Sequence, residues 1–276
     1  MISIKDEYIK CLTDKTGKYF IENYLSTFNA DVVRETPFKL FPRQKVFINS
    51  LTNNQNTIAI KHRQAGITTV SSAWATYRCV FARKDSPETI LCIGNNLDTS
   101  KNFLEKMVQF LDQVPRWMWG SDYYDPINEN GPKNTKSIYT VKNSARIELF
   151  NGCKIYARSS GPNAARGISA VSILMFDEAA MIEKGPEVYA QAIACTATLG
   201  DKARIIMIST PKGKDQLYYA TYDKALKGLN NYVPIEFKWF QDPRYNRNLE
   251  WHRKNESTGE IDIRKEYVID QKGNIE

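Results

Sequence analysis

Histidine is scarce in this chain of 276 residues, and its cysteines are not paired. There are two histidines, His62 and His252, and none of the five cysteines forms a CxxC pair. Zinc sites need several His or Cys ligands at short spacing, so the sequence predicts no zinc site. Scattered cysteines of odd number instead indicate reduced, buried thiols.

Long apolar runs and internal repeats are also missing, and we expect no leader segment. The longest apolar stretch, ISAVSILMF at 168–176, is interrupted by serines. It is far shorter than the roughly 20 residues of a membrane-spanning helix. The first residues, MISIKDEYIK, carry charge from residue 5 onward, unlike a signal peptide. We therefore expect a soluble, intracellular protein that does not contact a membrane.

The composition is that of an ordinary globular protein with a mild positive charge. Hydrophobic residues make up 42% and charged residues 25%, which argues against wholesale disorder. The net charge of +7 is compatible with a polyanionic partner. Basic residues concentrate between Lys133 and Arg166, where Glu148 is the only acid. That segment fits a solvated strand face or a surface facing DNA or another partner about equally well.

Apolar strands alternate with helices through the middle of the chain. The sequence predicts strands at 57–60, 89–95, 171–178, 203–209 and 232–237, and helices from Pro42, at 68–82, at 99–114 and near 214–228. This alternation predicts an α/β fold with a mainly parallel sheet covered by helices on both faces. Ligands of such sheets bind beyond the carboxyl ends of the strands. We therefore expect the 61–69 loop, Asp177–Glu178 and Ser209–Thr210 to lie at one edge.

The flanking regions have weaker patterns. Residues 1–35 mix charge with apolar spacing, which predicts a helical extension. Asn151-Gly152 between two alternating runs predicts a β-hairpin. From residue 241 the chain becomes polar and charged, with Tyr245 among its few apolar anchors. The predicted divisions are thus an extension at 1–35, a core at 36–240 and the start of a small subdomain at 241–276.

The segment KHRQAGIT at 61–68 has the outline of a phosphate-binding loop, G-x-x-x-x-G-K-[ST]. Gly66 and Thr68 are in place, but Lys61 replaces the first glycine and Ile67 replaces the lysine. Backbone amides could still cradle phosphate, and the hydroxyl of Thr68 could reach Mg²⁺. We expect Lys61 to supply the missing cation over the loop, with Arg63 as a second cation. An ordinary strand-turn-helix is the alternative.

The whole loop is a candidate nucleotide-binding site through its backbone. Its residues are Lys61, His62, Arg63, Gln64, Ala65, Gly66, Ile67, Thr68 and Thr69. Since Ile67 has no polar group, we expect its replacement by alanine to matter little for hydrolysis.

Two acids end the strand ILMFDEAA at 173–180. In a nucleotide hydrolase, Asp177 would hold Mg²⁺ and Glu178 would polarise the attacking water. Surface acids at a strand end are common and form the alternative. Since the loop and the acids occur in one chain, in the right order and at strand ends, a nucleotide hydrolase is the better interpretation.

Two further segments fit the same interpretation. Gln44, just upstream of the loop, could recognise adenine through its side-chain amide. Ser209 and Thr210 end another strand, where a hydroxyl could sense the γ-phosphate. The alternatives are a surface glutamine on an amphipathic helix and a simple Pro-Gly turn.

Taken together, these motifs resemble the large subunit of tailed-phage terminases, in particular its ATPase domain. The resemblance covers roughly residues 35–215 and consists of PRQ at 42–44 as adenine motif, KHRQAGITT at 61–69 as deviant Walker A, ILMFDEAA at 173–180 as Walker B with a catalytic Glu, and ISTPKG at 208–213 as coupling motif. It implies a P-loop NTPase of the ASCE/RecA-like type. Terminases tolerate a lysine moved to the start of the loop, as with Lys61, and some carry arginine in the third position, as with Arg63.

The resemblance also implies a function. The segment SSGPNAARGISA at 159–170 is similar to the family's arginine-bearing stretch, which makes Arg166 the candidate finger for a neighbouring subunit's phosphate. The implied activity is hydrolysis of ATP with Mg²⁺, powering movement of double-stranded DNA into a procapsid. The implied partners are the portal protein, the small terminase subunit and further copies in a ring, with a monomer in isolation. The implied location is the cytoplasm of the infected bacterial host.

The large subunit normally continues into an RNase H-type nuclease domain with clustered acids. No strand-borne acidic cluster follows Gln241. We therefore expect this chain to carry only the ATPase part and the start of a linker subdomain.

Two other interpretations remain. A superfamily 2 helicase is one, since DEAA differs by one letter from a DEAD box, but it would need a second RecA-like domain. A catalytically silent nucleotide-binding scaffold is the other, and Ile67 motivates it.

Overall fold

The computed structural model describes residues 3–29, 33–128, 130–245, 251–254 and 261–264. Most of the expected subdomain at 241–276, and the side chain of His252, lie outside the described residues. The division into three parts therefore stays a prediction.

The described helices and strands follow the expected alternation. The helices are α1 (Ile4–Thr13), α2 (Lys18–Tyr24), α3 (Pro42–Asn53), α4 (Ile67–Val80), α5 (Leu97–Gln113), α6 (Pro132–Thr135), α7 (Gly185–Ala194) and α8 (Tyr218–Leu226). The strands are β1 (Ser26–Asn29), β2 (Arg34–Pro37), β3 (Asn56–Lys61), β4 (Thr89–Gly94), β5 (Tyr139–Lys142), β6 (Arg146–Leu149), β7 (Lys154–Ser159), β8 (Ile173–Asp177), β9 (Arg204–Ser209), β10 (Tyr232–Phe237), β11 (Trp251–Lys254) and β12 (Ile261–Arg264).

An eight-stranded sheet in the order β10-β3-β9-β8-β4-β7-β6-β5 forms the centre of the protein. Neighbouring strands from β10 to β7 are parallel, whereas β6 is antiparallel to both of its neighbours. The prediction of an α/β fold with a mainly parallel sheet is confirmed. The predicted hairpin is confirmed too: Gly152 takes φ 87° in the turn between β6 and β7.

Both faces of the sheet are buried, which explains the all-apolar strands. Along β8, Ile173 and Met175 join one hydrophobic cluster, whereas Leu174 and Phe176 join the other. The first cluster contains side chains of α3, α4 and α5, and the second contains side chains of α7 and α8. Successive residues of a strand point to opposite faces of the sheet. A strand that is buried on both faces must therefore be apolar at every position.

The N-terminal region differs in part from its prediction. Helices α1 and α2 are present, but β1 and β2 pair as an antiparallel hairpin that the sequence pattern did not predict. Phe20 of α2 packs against Tyr77 and Phe81 and belongs to the first cluster. Helix α7 was also missed, because its Gly-Pro start resembles a turn although proline is well accommodated in a first helical turn.

The basic segment between Lys133 and Arg166 spans β5, β6 and β7. Within it, Lys142 pairs with Asp112 at 3.3 Å and Arg146 pairs with Glu148. These ion pairs reduce the net charge that the segment presents to a partner.

The state of the cysteines and the character of the helices bear on two expectations from the sequence. All five cysteines are free thiols, and Cys195 is the one that is not fully buried. Among the helices described, none has the length and apolar character to cross a membrane.

Candidate active site

The register of the sheet brings three strand ends to one edge. Asp177 pairs with Gly94 on one side and with Ile208 on the other, and Ile60 pairs with Ser209. The residues that follow each strand therefore meet at the carboxyl edge, as the sequence predicts.

The loop between β3 and α4 has the backbone shape of an anion site. Gly66 is the N-cap of α4 with φ 73°, and the first intrahelical bond runs from the Val70 N–H to the Gly66 carbonyl. The N–H groups of the first helical turn have no partner within the helix, and the helix dipole favours an anion there. A Cβ on Gly66 would lie 3.3 Å from Gln44 Nε2, so glycine suits this position both sterically and conformationally.

Ile67, in the slot that usually carries lysine, is part of the first hydrophobic cluster. Only 1% of its surface is exposed. The side chain at this position packs the start of α4 against the core, so position 67 supplies no charge to the loop. This is the physical reason why the cation must come from elsewhere.

Replacing Ile67 by alanine is expected to lower the free energy of unfolding by about 2–5 kcal/mol, because it leaves a cavity in the core. The expectation of little effect therefore concerns chemistry and not stability. Denaturant unfolding of the variant measures the loss. Ile127→Ala is a matched control, because Ile127 is 94% exposed. Equal stability of the two variants would contradict the packing role.

Lys61 contacts the proposed catalytic acid directly. Its ammonium lies 2.6 Å from Glu178 Oε1, and the lysine is only 8% exposed. The ammonium is thus paired with the carboxylate that follows β8, and its expected role as the cation of the loop stays a prediction. Lys61 ends β3 and Glu178 follows the end of β8, so the common edge of the two strands brings the two charges together.

Glu178 is held from several sides. Its backbone takes φ 53°, and its Oε2 accepts hydrogen bonds from the N–H and the hydroxyl of Thr210, each at 3.1 Å. The Ser209 hydroxyl lies 3.4 Å from the same oxygen and accepts a bond from the Ala180 N–H. Burial by itself raises the pKa of Glu178, but Lys61 and Thr210 together hold it below its ordinary value. The carboxylate is therefore ionised and fixed in orientation.

Asp177 is more deeply buried than Glu178, with 2% of its surface exposed. Its Oδ2 accepts a 2.9 Å bond from the Thr68 hydroxyl, and its Oδ1 accepts a 3.0 Å bond from the Glu178 N–H. Burial raises the pKa of Asp177 to about 6, although Thr68 and Lys61 oppose that rise.

The pair of Thr68 and Asp177 fits Mg²⁺. Mg²⁺ prefers oxygen ligands and is usually held by one or two protein groups together with phosphate oxygens. Over the residues whose structure is described, no group of three or more His, Cys, Asp or Glu could hold a metal by itself. The Thr68 hydroxyl and the Asp177 carboxylate could therefore supply two of the oxygen ligands of Mg²⁺, and phosphate oxygens could supply others.

The raised pKa of Asp177 predicts a pH-dependent stability. The pKa of Asp177 is about 6 in the folded protein, compared with an ordinary value of 3.8. The folded state therefore favours the neutral carboxyl group. This stabilisation is complete below pH 3.8 and is lost as the pH rises through 6. Asp177→Asn is therefore expected to raise the free energy of unfolding at about pH 8 by up to about 3 kcal/mol and to have little effect near pH 4. Denaturant unfolding at both pH values measures this. The exposed Asp85→Asn is the control, and an equal effect at both pH values would contradict the assignment.

Gln44 uses its side-chain amide within the protein. Its Oε1 accepts a 3.0 Å bond from the Phe41 N–H, and its Nε2 donates a 3.1 Å bond to the Ala65 carbonyl. Gln44 thus ties the start of α3 to the phosphate loop. A small cavity beside it is lined by Phe41, Arg43, His62, Phe237 and Lys238. Recognition of adenine by Gln44 stays a prediction.

The two candidate arginines, Arg63 and Arg166, are exposed. Arg63 is in the loop, and Arg166 follows β7, whose last residue is level with Gly94 and so lies at the same edge. Neither forms an ion pair with an acid in the described ranges of the chain. The roles of Arg63 and Arg166 stay predictions.

Three residues that contact the loop were not predicted as site residues. Asp242, Arg244 and Tyr245 follow β10, and they reach Gln64 and His62. Only the apolar character of Tyr245 could have indicated a packing role. Their partners are about 180 positions away, a separation that no local pattern reports.

The fold and the loop define a P-loop α/β domain. A sequence profile described as "Terminase large subunit, T4likevirus-type, N-terminal" matches residues 58–267. The chain therefore belongs to this family, the N-terminal part of the large terminase subunit.

Solved structures of large terminases share the fold. The Thermus phage P74-26 large terminase ATPase domain is 18% identical, with a TM-score of 0.52 over 74% of this chain and 82% of that one. The large terminase of bacteriophage HK97 is 16% identical, with a TM-score of 0.57 over 80% and 43% of the two chains. That of the thermophilic bacteriophage D6E is 16% identical, with a TM-score of 0.50 over 76% and 48%. This chain thus spans about half the length of the D6E protein.

Proposed function

We propose that this chain hydrolyses ATP and, as the motor domain of a large terminase subunit, drives double-stranded viral DNA into a procapsid. One observation carries the proposal. At the carboxyl edge of the sheet, Lys61 and Thr210 fix the ionised Glu178, and Thr68 donates a hydrogen bond to Asp177. These groups lie beside the start of α4, which is suited to bind an anion. This is the set of groups that phosphoryl transfer to water requires.

Each group has a distinct task in this mechanism. The N–H groups at the start of α4 bind the phosphate oxygens, and Lys61 and Arg63 add positive charge. Glu178 accepts a hydrogen bond from the attacking water and orients it. Thr68 and Asp177 would hold Mg²⁺, which when bound neutralises charge that develops on the phosphates. Thr210 contacts Glu178 directly, so loss of the γ-phosphate can be communicated to the coupling motif at 208–213.

The remaining parts of the proposal follow from family membership. We propose the portal protein and the small terminase subunit as partners, a ring of copies on the procapsid, and a monomer in isolation. We propose the cytoplasm of the infected host as its location. Residues 1–35, 36–240 and 241–276 would form the extension, the ATPase core and the start of a linker subdomain.

The silent scaffold is the less favoured alternative. It was motivated by Ile67, but that residue is part of the core and Lys61 provides a cation beside the acids.

Release of inorganic phosphate from ATP by the purified chain tests the proposal, with EDTA added in a parallel reaction. We expect slow turnover that EDTA abolishes and that added Mg²⁺ restores. Binding of ADP, measured by calorimetry, separates catalysis from binding. ADP binding without phosphate release would support the silent scaffold, and absence of both would overturn the proposal.

Arg166 is proposed to act on the γ-phosphate of a neighbouring copy. It is exposed in the connection between β7 and β8, and Gly167 beside it takes φ 76°, as in a shaped surface loop. An arginine finger is worth about 10³ or more in rate. Arg166→Ala and Glu178→Gln chains, each inactive alone, are expected to recover hydrolysis when mixed at high concentration.

Mixing Glu178→Gln with a chain that carries both substitutions is the control and should recover nothing. No recovery in the test mixture, with turnover strictly proportional to enzyme concentration, would exclude a role between copies.

A further inference from the structure

The segment after β10 contacts the phosphate loop from outside the sheet. Arg244 Nη2 donates a 2.6 Å hydrogen bond to the Gln64 carbonyl, and the Tyr245 hydroxyl donates a 2.9 Å bond to Gln64 Oε1. One loop residue thus receives a bond to its main chain and a bond to its side chain from two consecutive residues. We call Asp242, Arg244 and Tyr245 the clasp.

The clasp is itself held in place. Arg244 Nε and Nη2 donate to the two oxygens of Asp242, at 2.9 and 2.5 Å. Asp242 is buried, and the guanidinium lies over the Phe41 ring with 5.4 Å to its centroid. Two charge-assisted hydrogen bonds from one guanidinium to a buried carboxylate fix the orientation of the guanidinium. Arg244 therefore offers the second N–H of Nη2 to Gln64 from a fixed position.

A second loop residue touches the clasp. The His62 ring packs edge-on against the Tyr245 ring, with 5.6 Å between centroids, and His62 Nε2 lies 3.8 Å from Asp242 Oδ2. The clasp thus contacts the loop at His62 and at Gln64, on either side of Arg63.

Gln64 needs such support because of its backbone. It takes φ 63°, a left-handed conformation that is uncommon for residues other than glycine, asparagine and aspartate. The residue is exposed, so core packing does not impose this conformation. Without an external contact, the peptide groups on either side of Gln64 would favour another orientation. Those peptide groups belong to the loop before α4 that is proposed to bind the phosphates.

We propose that Arg244 and Tyr245 are positioning residues that hold Gln64 in its left-handed conformation and so keep the loop shaped for nucleotide phosphates. This inference rests on the proposed function of the loop. Its consequence is that the chain segment following the sheet contributes to nucleotide affinity without touching the nucleotide. The effect is expected on binding, because the described contacts of the clasp with the loop are to Gln64 and His62, whereas Lys61 pairs with Glu178 and Thr68 bonds to Asp177.

Arg244→Ala tests the inference. We expect its dissociation constant for ADP with Mg²⁺ to rise about tenfold, the scale of losing a charge-assisted hydrogen bond. The KM for ATP should rise in parallel, while kcat at saturating ATP changes less than about threefold, since the catalytic groups stay in place. Arg83→Ala is the control, because it removes an exposed arginine paired with Asp85.

Substitution of Gln64 separates positioning from general loss of structure. Glycine adopts the left-handed conformation without strain. In a Gln64→Gly background, Arg244→Ala is therefore expected to raise the dissociation constant for ADP less than about threefold. Tyr245→Phe should weaken ADP binding several-fold in the original chain and have no effect in the Gln64→Gly background, because glycine has no Oε1 to receive the bond.

The outcomes distinguish this inference from the proposed function. If the unsubstituted chain binds neither ADP nor ATP, the proposed function fails and the inference fails with it. If it binds ADP but Arg244→Ala and Tyr245→Phe bind equally well, the inference alone is overturned. An equal loss of ADP affinity by Arg244→Ala in the original chain and in the Gln64→Gly background would also overturn it. The loss would then not depend on the backbone conformation of Gln64.

Discussion

The Glu178→Gln chain is expected to hydrolyse ATP at least ~10²-fold more slowly than the unsubstituted chain, the usual scale for loss of a general base. The amide can keep the bonds from Thr210, since it retains a carbonyl oxygen, but it cannot take a proton from water. Nucleotide binding should remain near normal, because Lys61 loses its carboxylate partner and stays available for phosphates. Phosphate release in single-turnover reactions measures the rate, and calorimetry with ADP measures binding.

Glu183→Gln is a suitable control for this experiment. Glu183 is an exposed acid five positions further along, so the same chemical change is made without touching the site. Equal rates for Glu178→Gln and Glu183→Gln would remove Glu178 from the mechanism.

The Lys61→Ala chain is expected to lose ATP hydrolysis altogether within the sensitivity of the assay. Two effects combine. The loop loses a buried cation at its first position, and removal of one preorganised charge of this kind typically costs about 10²–10³ in rate. In addition, Glu178 loses a partner that holds its pKa down, so burial would shift that pKa upward and favour the protonated form of the base.

The second effect has its own signature. Any residual activity of Lys61→Ala should rise with pH more steeply than that of the unsubstituted chain, because deprotonation of Glu178 would then limit the rate. Arg63→Ala is the comparison, since it removes an exposed cation of the same loop and leaves Glu178 paired. Wild-type turnover by Lys61→Ala, or an equally large loss in Arg63→Ala, would show that the displaced lysine has no special role.

Most of the sheet could be predicted because burial on both faces leaves a direct mark on the sequence. Strand β8 had to be an apolar run, since alternate residues enter two different clusters. The meeting of Asp177 with Thr68 was also predictable, because parallel strands end at one edge. The β1–β2 hairpin was not predictable on these grounds, because its four-residue strands are too short for a clear period.

The amino-acid sequence by itself determined the fold class, the order of the motifs and the edge of the sheet where they meet. Each hydrophobic pattern is contained within one segment, and the parallel strands that these patterns predict end at a common edge. Only the tertiary structure decided what each side chain does there. It directs Ile67 into the core, pairs Lys61 with Glu178 from 117 positions away and brings Arg244 to Gln64 from 180 positions away. Such contacts depend on where separate elements pack, and no pattern within a single segment carries that information.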